Sequence, residues 1–253
     1  MTITTERPII QMSGVGKSFG GVHALDDVDF EVGAGEVVGL LGDNGAGKST
    51  LIKILTGFAR ADRADIRIDG ERRMFATPRE ARDGGIETVY QEQALADDLS
   101  VARNLFLGKE PTIGVGPIRL LDEKRMRRES RAMLTELRMA IDVDKSARDC
   151  SGGERQAICI ARAIHFNAKV VILDEPTNAL GVAAVKRVLD LVRDLKRRGI
   201  AVIFVGHNLY EVLEVADRVV VMVRGRKLLD VRSSETTLEE LTEILMQRSG
   251  IVG

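Results

Sequence analysis

Eight consecutive residues, Gly42-Asp43-Asn44-Gly45-Ala46-Gly47-Lys48-Ser49, fit the spacing G-x-x-x-x-G-K-[ST]. Glycines at these positions admit backbone conformations that a Cβ forbids. Successive N–H groups can then close around a phosphate at a helix N-terminus, where the dipole favours an anion. In such a loop Lys48 neutralises β- and γ-phosphates and the Ser49 hydroxyl completes a Mg²⁺ shell; Thr50 is grouped with the loop as a nucleotide-binding residue. A glycine-rich turn without a ligand is the competing reading. Against it, the loop joins an apolar run at 37–41 to a stretch bearing Leu51, Ile52, Ile54 and Leu55 at helical spacing. A second string, Gly14-Val15-Gly16-Lys17-Ser18, also ends in G-K-S, but Gln11 stands where the first glycine is needed and no helix pattern follows. It reads as strand and turn.

Two further groups have the right types for phosphate chemistry. Residues 170–173 are apolar and end in Asp174-Glu175. A buried strand delivers its last side chains to the carboxyl edge of a sheet, where Asp174 would hold Mg²⁺ and Glu175 would polarise the water that attacks the γ-phosphate. Alone the pair is also what an ordinary polar strand end looks like. Ser151-Gly152-Gly153-Glu154 begins a helical stretch and offers a hydroxyl and bare N–H groups to an anion. A helix cap with a flexible turn would look the same.

The elements that must position these residues are strands alternating with helices. Early strands are expected at 9–15 and at Val28, Phe30 and Val32, then at 37–41, 66–68 and 86–90. From about 92 to 164 the chain turns helical; Met126, Met133, Leu134 and Leu137 share one face, and Lys124, Arg125, Arg127 and Arg128 read as its solvated side. Strand–helix alternation resumes at 170 with apolar runs at 201–205 and 219–223 and a last helix at 237–246. The pattern predicts an α/β protein with a parallel sheet, its core at 1–91 and 165–253 split by a helical insertion at 92–164.

Composition sets the outer bounds. The 253 residues are 44% hydrophobic and 30% charged with a net charge of −1, which gives none of the basic excess expected of a nucleic-acid binder. No apolar run approaches bilayer length, and residues 1–8 lack a secretory pattern. Cys150 and Cys159 have no metal-ligand company, since His23, His165 and His207 are scattered, and a reduced cytosolic setting is expected.

Taken together, the phosphate loop, the Asp174-Glu175 strand and Ser151-Gly152-Gly153-Glu154-Arg155-Gln156 resemble the ATP-binding cassette (ABC) family, whose signature reads Leu-Ser-Gly-Gly-Gln. The likeness runs from about 9 to 246. It implies a P-loop NTPase (RecA-like) core, an N-terminal antiparallel β subdomain and an inserted helical subdomain. It implies ATP and Mg²⁺ as ligands, with the signature of one subunit meeting the γ-phosphate held by the phosphate loop of a second copy. It assigns Gln91 to sensing Mg²⁺ and the attacking water, and His207 to the γ-phosphate. Phe19, ahead of Gly20-Gly21, would stack on adenine, with a plain core phenylalanine as the alternative.

Residues 85–91, 104–108 and 178–182 look most like the ATPases of monosaccharide importers of the ribose, xylose or fructose type. That likeness implies a transmembrane permease partner, a periplasmic sugar-binding protein acting indirectly, and a cytoplasmic place on the inner face of the membrane. A soluble ABC ATPase acting on nucleic acid or ribosomes, or a weakly hydrolysing regulatory module, are the alternatives. Departures from the family pattern are Cys150 and Glu154 in the signature, Gly181 after the catalytic strand, and Arg63-Ala64 ahead of a strand. Glu154 puts a negative charge near a triphosphate, which Arg155 or Mg²⁺ would have to screen.

Overall fold

Runs of apolar residues without polar alternation are buried only where both faces of a strand are covered. Residues 37–41, 170–174 and 201–206 are of that kind. In a computed structural model describing residues 8–89, 95–114, 119–137, 139–166, 168–178 and 180–248, all three are strands with only Asp174 incompletely buried.

In chain order the elements are β1 (Pro8–Phe19), β2 (Val22–Gly33), β3 (Val37–Leu41), α1 (Lys48–Leu55), β4 (Arg63–Ile68), β5 (Glu71–Arg72), α2 (Pro78–Asp83) and β6 (Ile86–Val89). Then come α3 (Val101–Leu105), β7 (Thr112–Ile113), β8 (Leu120–Leu121), α4 (Glu123–Glu136) and α5 (Gly152–His165). The chain continues with β9 (Val170–Asp174), α6 (Val182–Arg197), β10 (Ala201–Gly206), α7 (Leu209–Val215), β11 (Arg218–Val223), β12 (Arg226–Arg232) and α8 (Leu238–Arg248).

The chain divides into two compact units, one of residues 1–88, 168–176 and 192–253, the other of residues 89–167 and 177–191. The first holds two sheets. A six-stranded sheet has the order β12-β11-β3-β10-β9-β6, in which β3 runs parallel to β10 and β11, and β9 parallel to β10. A four-stranded sheet, β2-β1-β4-β5, is antiparallel. Phe30, Met12 and Ile66 of this sheet share one apolar core with Leu40, Ile172 and Ile203 of the larger one and with Leu51 and Leu55 of α1. The second G-K-S string lies inside β1, paired to both β2 and β4.

The register of the parallel strands is what serves function. Leu41 is level with Gly206, and Val205 with Asp174. The three chains that leave this edge therefore leave side by side: the glycine-rich loop after β3, Glu175 after β9 and His207 after β10.

The second unit is mainly helical. Met126, Ser130, Met133 and Leu134 form the buried face of α4, while the outer arginines are paired: Arg125 with Glu129 (2.7 Å) and Arg127 with Asp144 (2.7 Å). The basic run is thus a solvated, ion-paired helix face. Asn104 is fully buried, and its amide accepts from the Ala96 N–H (2.8 Å) and donates to the Ala96 and Leu99 carbonyls (3.0 and 3.2 Å). It stands in for a missing secondary-structure ladder in the loop ahead of α3, where buried backbone groups must find partners.

Candidate active site

The loop after β3 bends back because Gly42 and Gly47 adopt positive φ, +150° and +103°. A Cβ at Gly42 would lie 2.3 Å from the Met222 carbonyl oxygen, and one at Gly47 would lie 2.6 Å from that of Ala24. Gly47 is also the N-cap of α1 and has no side chain to cap the first turn, whose N–H groups are the kind that receive an anion. Within the loop Asp43, Asn44 and Gly45 are exposed and Ala46 is buried; Ser49 is exposed and Thr50 half-buried at the start of the helix.

Lys48 is buried, and its ammonium donates to the Gly42 carbonyl at 2.6 Å and the Asp43 carbonyl at 3.2 Å. Burial lowers its pKa, against the opposing charges of Glu175, Asp174 and Asp43. Asp174, at the last position of β9, shows the converse: burial and the neighbouring Glu175 charge raise its carboxyl pKa, against Lys48. Glu175 is half-buried and sits at φ +49°, an uncommon conformation for a residue with a side chain, held by its N–H donating to the Val205 carbonyl at 2.9 Å. His207 is exposed, with Nδ1 3.6 Å from a Glu175 carboxylate oxygen, too far for a hydrogen bond and near enough for electrostatic contact.

The structure therefore brings together Gly42 to Thr50, Asp174, Glu175 and His207 at one sheet edge. Phe19, at the end of β1, is 55% exposed and carries the Lys17 ammonium 5.3 Å from its ring centroid, so it is no core residue. Gln91 lies outside the described residues.

Ser151, Gly152, Gly153 and Glu154 belong to the second unit. Ser151 is the N-cap of α5, and its hydroxyl accepts from the Glu154 N–H (3.3 Å) while the Glu154 carboxylate accepts from the Ser151 N–H (2.7 Å), a reciprocal capping box. Of the two screens expected for Glu154, Arg155 is bonded elsewhere, and a lysine lies closer. Arg155 pairs with Asp97 at 2.7 Å and donates to the Ala147 carbonyl at 2.9 Å, whereas Lys145 lies 3.4 Å from Glu154. Nothing in the sequence singles out Lys145 beyond a basic residue ahead of an acidic helix start.

The comparisons with known proteins decide the family. Residues 25–178 match the sequence family described as ABC transporter. The chain belongs to the ABC transporter family. It is an ATP-binding cassette, and the family's cassettes are ATPases. A shorter match, to a family described as an AAA domain of a putative AbiEii toxin, covers residues 146–214. The cassette is 44% identical to a xylose/arabinose import ATP-binding protein, XylG, of Sulfolobus acidocaldarius over 94% of its own length and 93% of the relative's. It is 42% identical to a fructose import ATP-binding protein, FrcA, of Rhizobium meliloti, with 93% and 92% covered. Among solved structures, a nucleotide-free ATP-binding cassette from an ABC transporter superposes with a TM-score of 0.81 at 28% identity, covering 97% of this chain and 99% of that one.

The carboxyl of Asp174 makes the stability of the cassette depend on pH. Its folded-state pKa lies above the unfolded value. The folded cassette thus holds that proton more tightly, and a penalty absent below the unfolded pKa grows as pH rises through the folded one. Asp174→Asn removes the charge and is expected to raise the melting temperature of the nucleotide-free cassette at about pH 8 by about 2–4 °C. At about pH 4 the gain should shrink towards zero. Equal gains at both values would show that something other than the buried charge is responsible.

Proposed function

We propose that this cassette is the ATP-hydrolysing subunit of a monosaccharide importer, working as a homodimer with each nucleotide held between two copies. The observation that carries the reading is the level ending of β3, β9 and β10, which sets Lys48, Asp174, Glu175 and His207 at a single edge. Lys48 leaves its two loop carbonyls for the β- and γ-phosphates. Loop N–H groups hold the remaining phosphate oxygens. Glu175 orients a water whose oxygen attacks the γ-phosphorus in line as the β–γ bridging bond breaks, giving ADP and phosphate. His207 offsets charge on the transferring group, and Phe19 offers its exposed ring to adenine.

The residues fit Mg²⁺. Asp174 bears a half-buried carboxyl whose ionised form is disfavoured by burial and by Glu175, a situation that a divalent cation relieves. Ser49, Asp174 and Gln91 would hold the ion, which when bound neutralises β- and γ-phosphate oxygens. The signature, Ser151 to Glu154, would meet the γ-phosphate carried by the second copy.

Sugar import is supported by the names of the xylose/arabinose and fructose relatives, and by their full-length match to this chain. Among the described residues no helix is long and apolar enough to cross a membrane. The cassette would therefore act through a transmembrane permease, peripheral on its cytoplasmic face, with a periplasmic sugar-binding protein delivering solute on the other side. Glu175→Gln cassette loaded with MgATP and purified from gently solubilised native membranes tests this. Co-purification of a multi-span membrane protein is the expected result. Recovery of ribosomes, nucleic acid or soluble partners alone would overturn it.

A further inference from the structure

The capping box of α5 has a consequence for its charge. Because Glu154 reaches back to the Ser151 N–H at 2.7 Å while Ser151 caps the Glu154 N–H, the carboxylate is held at the mouth of the helix and cannot swing to solvent without breaking the bond from the Ser151 N–H. A carboxylate in the first turn complements the helix dipole, yet it repels a polyphosphate approaching the same N-terminus. The hydrogen bond from Ser151, with burial opposing it and Lys145 assisting, keeps the carboxyl pKa low, so the group does not escape by protonation.

Lys145 is held where it can cancel that charge. Its carbonyl accepts from the Val101 N–H at 2.9 Å, and the next residue, Ser146, donates its hydroxyl to the Asp97 carbonyl at 2.7 Å. The two residues are thereby tied to the first residue of α3 and to the loop ahead of it. The ammonium lies 3.4 Å from the Glu154 carboxylate, and each side chain is about two-thirds shielded from solvent, so the pair is less screened than an open surface pair. Arg155, the next cation along, is committed to Asp97 and Ala147.

We infer that Lys145 is a positioning residue for the ATPase reaction, one that neutralises Glu154 so that the N-terminus of α5 can receive the γ-phosphate carried by a second copy. The inference rests on the proposed nucleotide-sandwich dimer. It predicts an electrostatic role, in which what matters is the sum of two charges and not the ion pair as a brace.

The test uses the purified full chain. Steady-state phosphate release is measured as a function of MgATP and of salt, with ATP-dependent dimerisation followed in the Glu175→Gln background. Lys145→Met should lower turnover about tenfold and weaken the ATP dimer, with nucleotide affinity of the single chain changed little; every tenfold corresponds to about 1.4 kcal/mol. Lys145→Arg should retain activity. Adding Glu154→Gln to Lys145→Met, which removes the second charge and keeps an amide capable of the capping box, should restore turnover. Added salt should partly rescue the Lys145→Met cassette through screening.

Turnover unchanged in Lys145→Met, or a double variant as slow as the single one at all salt concentrations, would overturn the inference while leaving the ATPase reading intact. Wild-type chain that neither hydrolyses MgATP nor dimerises with it would overturn that reading, and the inference with it. Circular dichroism of each variant separates misfolding from a charge effect, and Lys145→Arg supplies a variant that keeps the pair.

Discussion

Glu175→Gln is expected to slow steady-state ATP hydrolysis by about 10²–10⁴-fold, the range associated with loss of a positioned general base. MgATP affinity should stay within a few-fold. The substitution keeps the side chain's length and leaves the backbone free to hold the same φ of +49° and the same bond to the Val205 carbonyl. What is lost is one negative charge next to Asp174 and His207. An amide still accepts a hydrogen bond from water but does not draw off its proton as the oxygen attacks phosphorus. Single-turnover phosphate release and equilibrium nucleotide binding, measured on the same protein, separate the two effects. Weakened binding with hydrolysis retained at saturating nucleotide would mean that Glu175 holds nucleotide and does not act on water.

The largest expected effect on stability lies away from the phosphates, at Arg218. This guanidinium is almost wholly buried at the first position of β11, donating to Glu36 at 2.7 and 3.1 Å, to Asp230 at 2.7 Å and to the Glu31 carbonyl at 2.7 Å. Burial opposes its charge, but bonds to Glu36 and Asp230 outweigh that and raise its pKa above the ordinary arginine value. Arg218→Met would fill similar volume and leave two shielded carboxylates short of a partner. Breaking a buried pair from one side costs about 3–5 kcal/mol. The lower end is expected here, because Asp230 keeps Lys227 at 3.0 Å and Glu36 keeps the Gly33 N–H at 2.6 Å. Urea unfolding monitored by circular dichroism reads this directly; a loss under about 1 kcal/mol would mean that water replaces the guanidinium.

Arg218 also marks where the sequence stops being legible. The apolar run at 219–223 reads as a strand beginning after a charge, and only its pairing with Val38 shows that the strand begins on the charge itself. Arg63 is similar. It is one of the departures from the family pattern, and in the structure it opens β4 opposite Gly16, which has no Cβ to meet the arginine chain folded over it. The glycine-rich loop, Asp174-Glu175 and the buried strands before them were readable because each is local: a spacing within eight residues, or a run of apolar ones.

The alignment of their ends was not readable, since Leu41 is level with Gly206 through pairings far apart in the chain. Nor was the Lys145 to Glu154 contact, which depends on how the segment before α5 is tied to α3. In β2, Val28, Phe30 and Val32 alternate as an antiparallel strand should. Its first half, with Asp26 and Asp27 and several register shifts against β1, gives no such pattern.

The strand order β3-β10-β9 bears on how such a chain comes to be made. The strand carrying the phosphate loop and the one carrying the two carboxylates share no edge; β10 stands between them, yet it leaves the ribosome after both. At a synthesis rate of about 5–20 residues per second, the 32 residues from Asp174 to Gly206 take about 2–6 seconds to add. During that interval a growing chain has every glycine of the loop after β3 and both acidic groups, but no backbone ladder by which to bring them level. Bringing the glycine-rich loop level with the two carboxylates therefore waits on the middle strand.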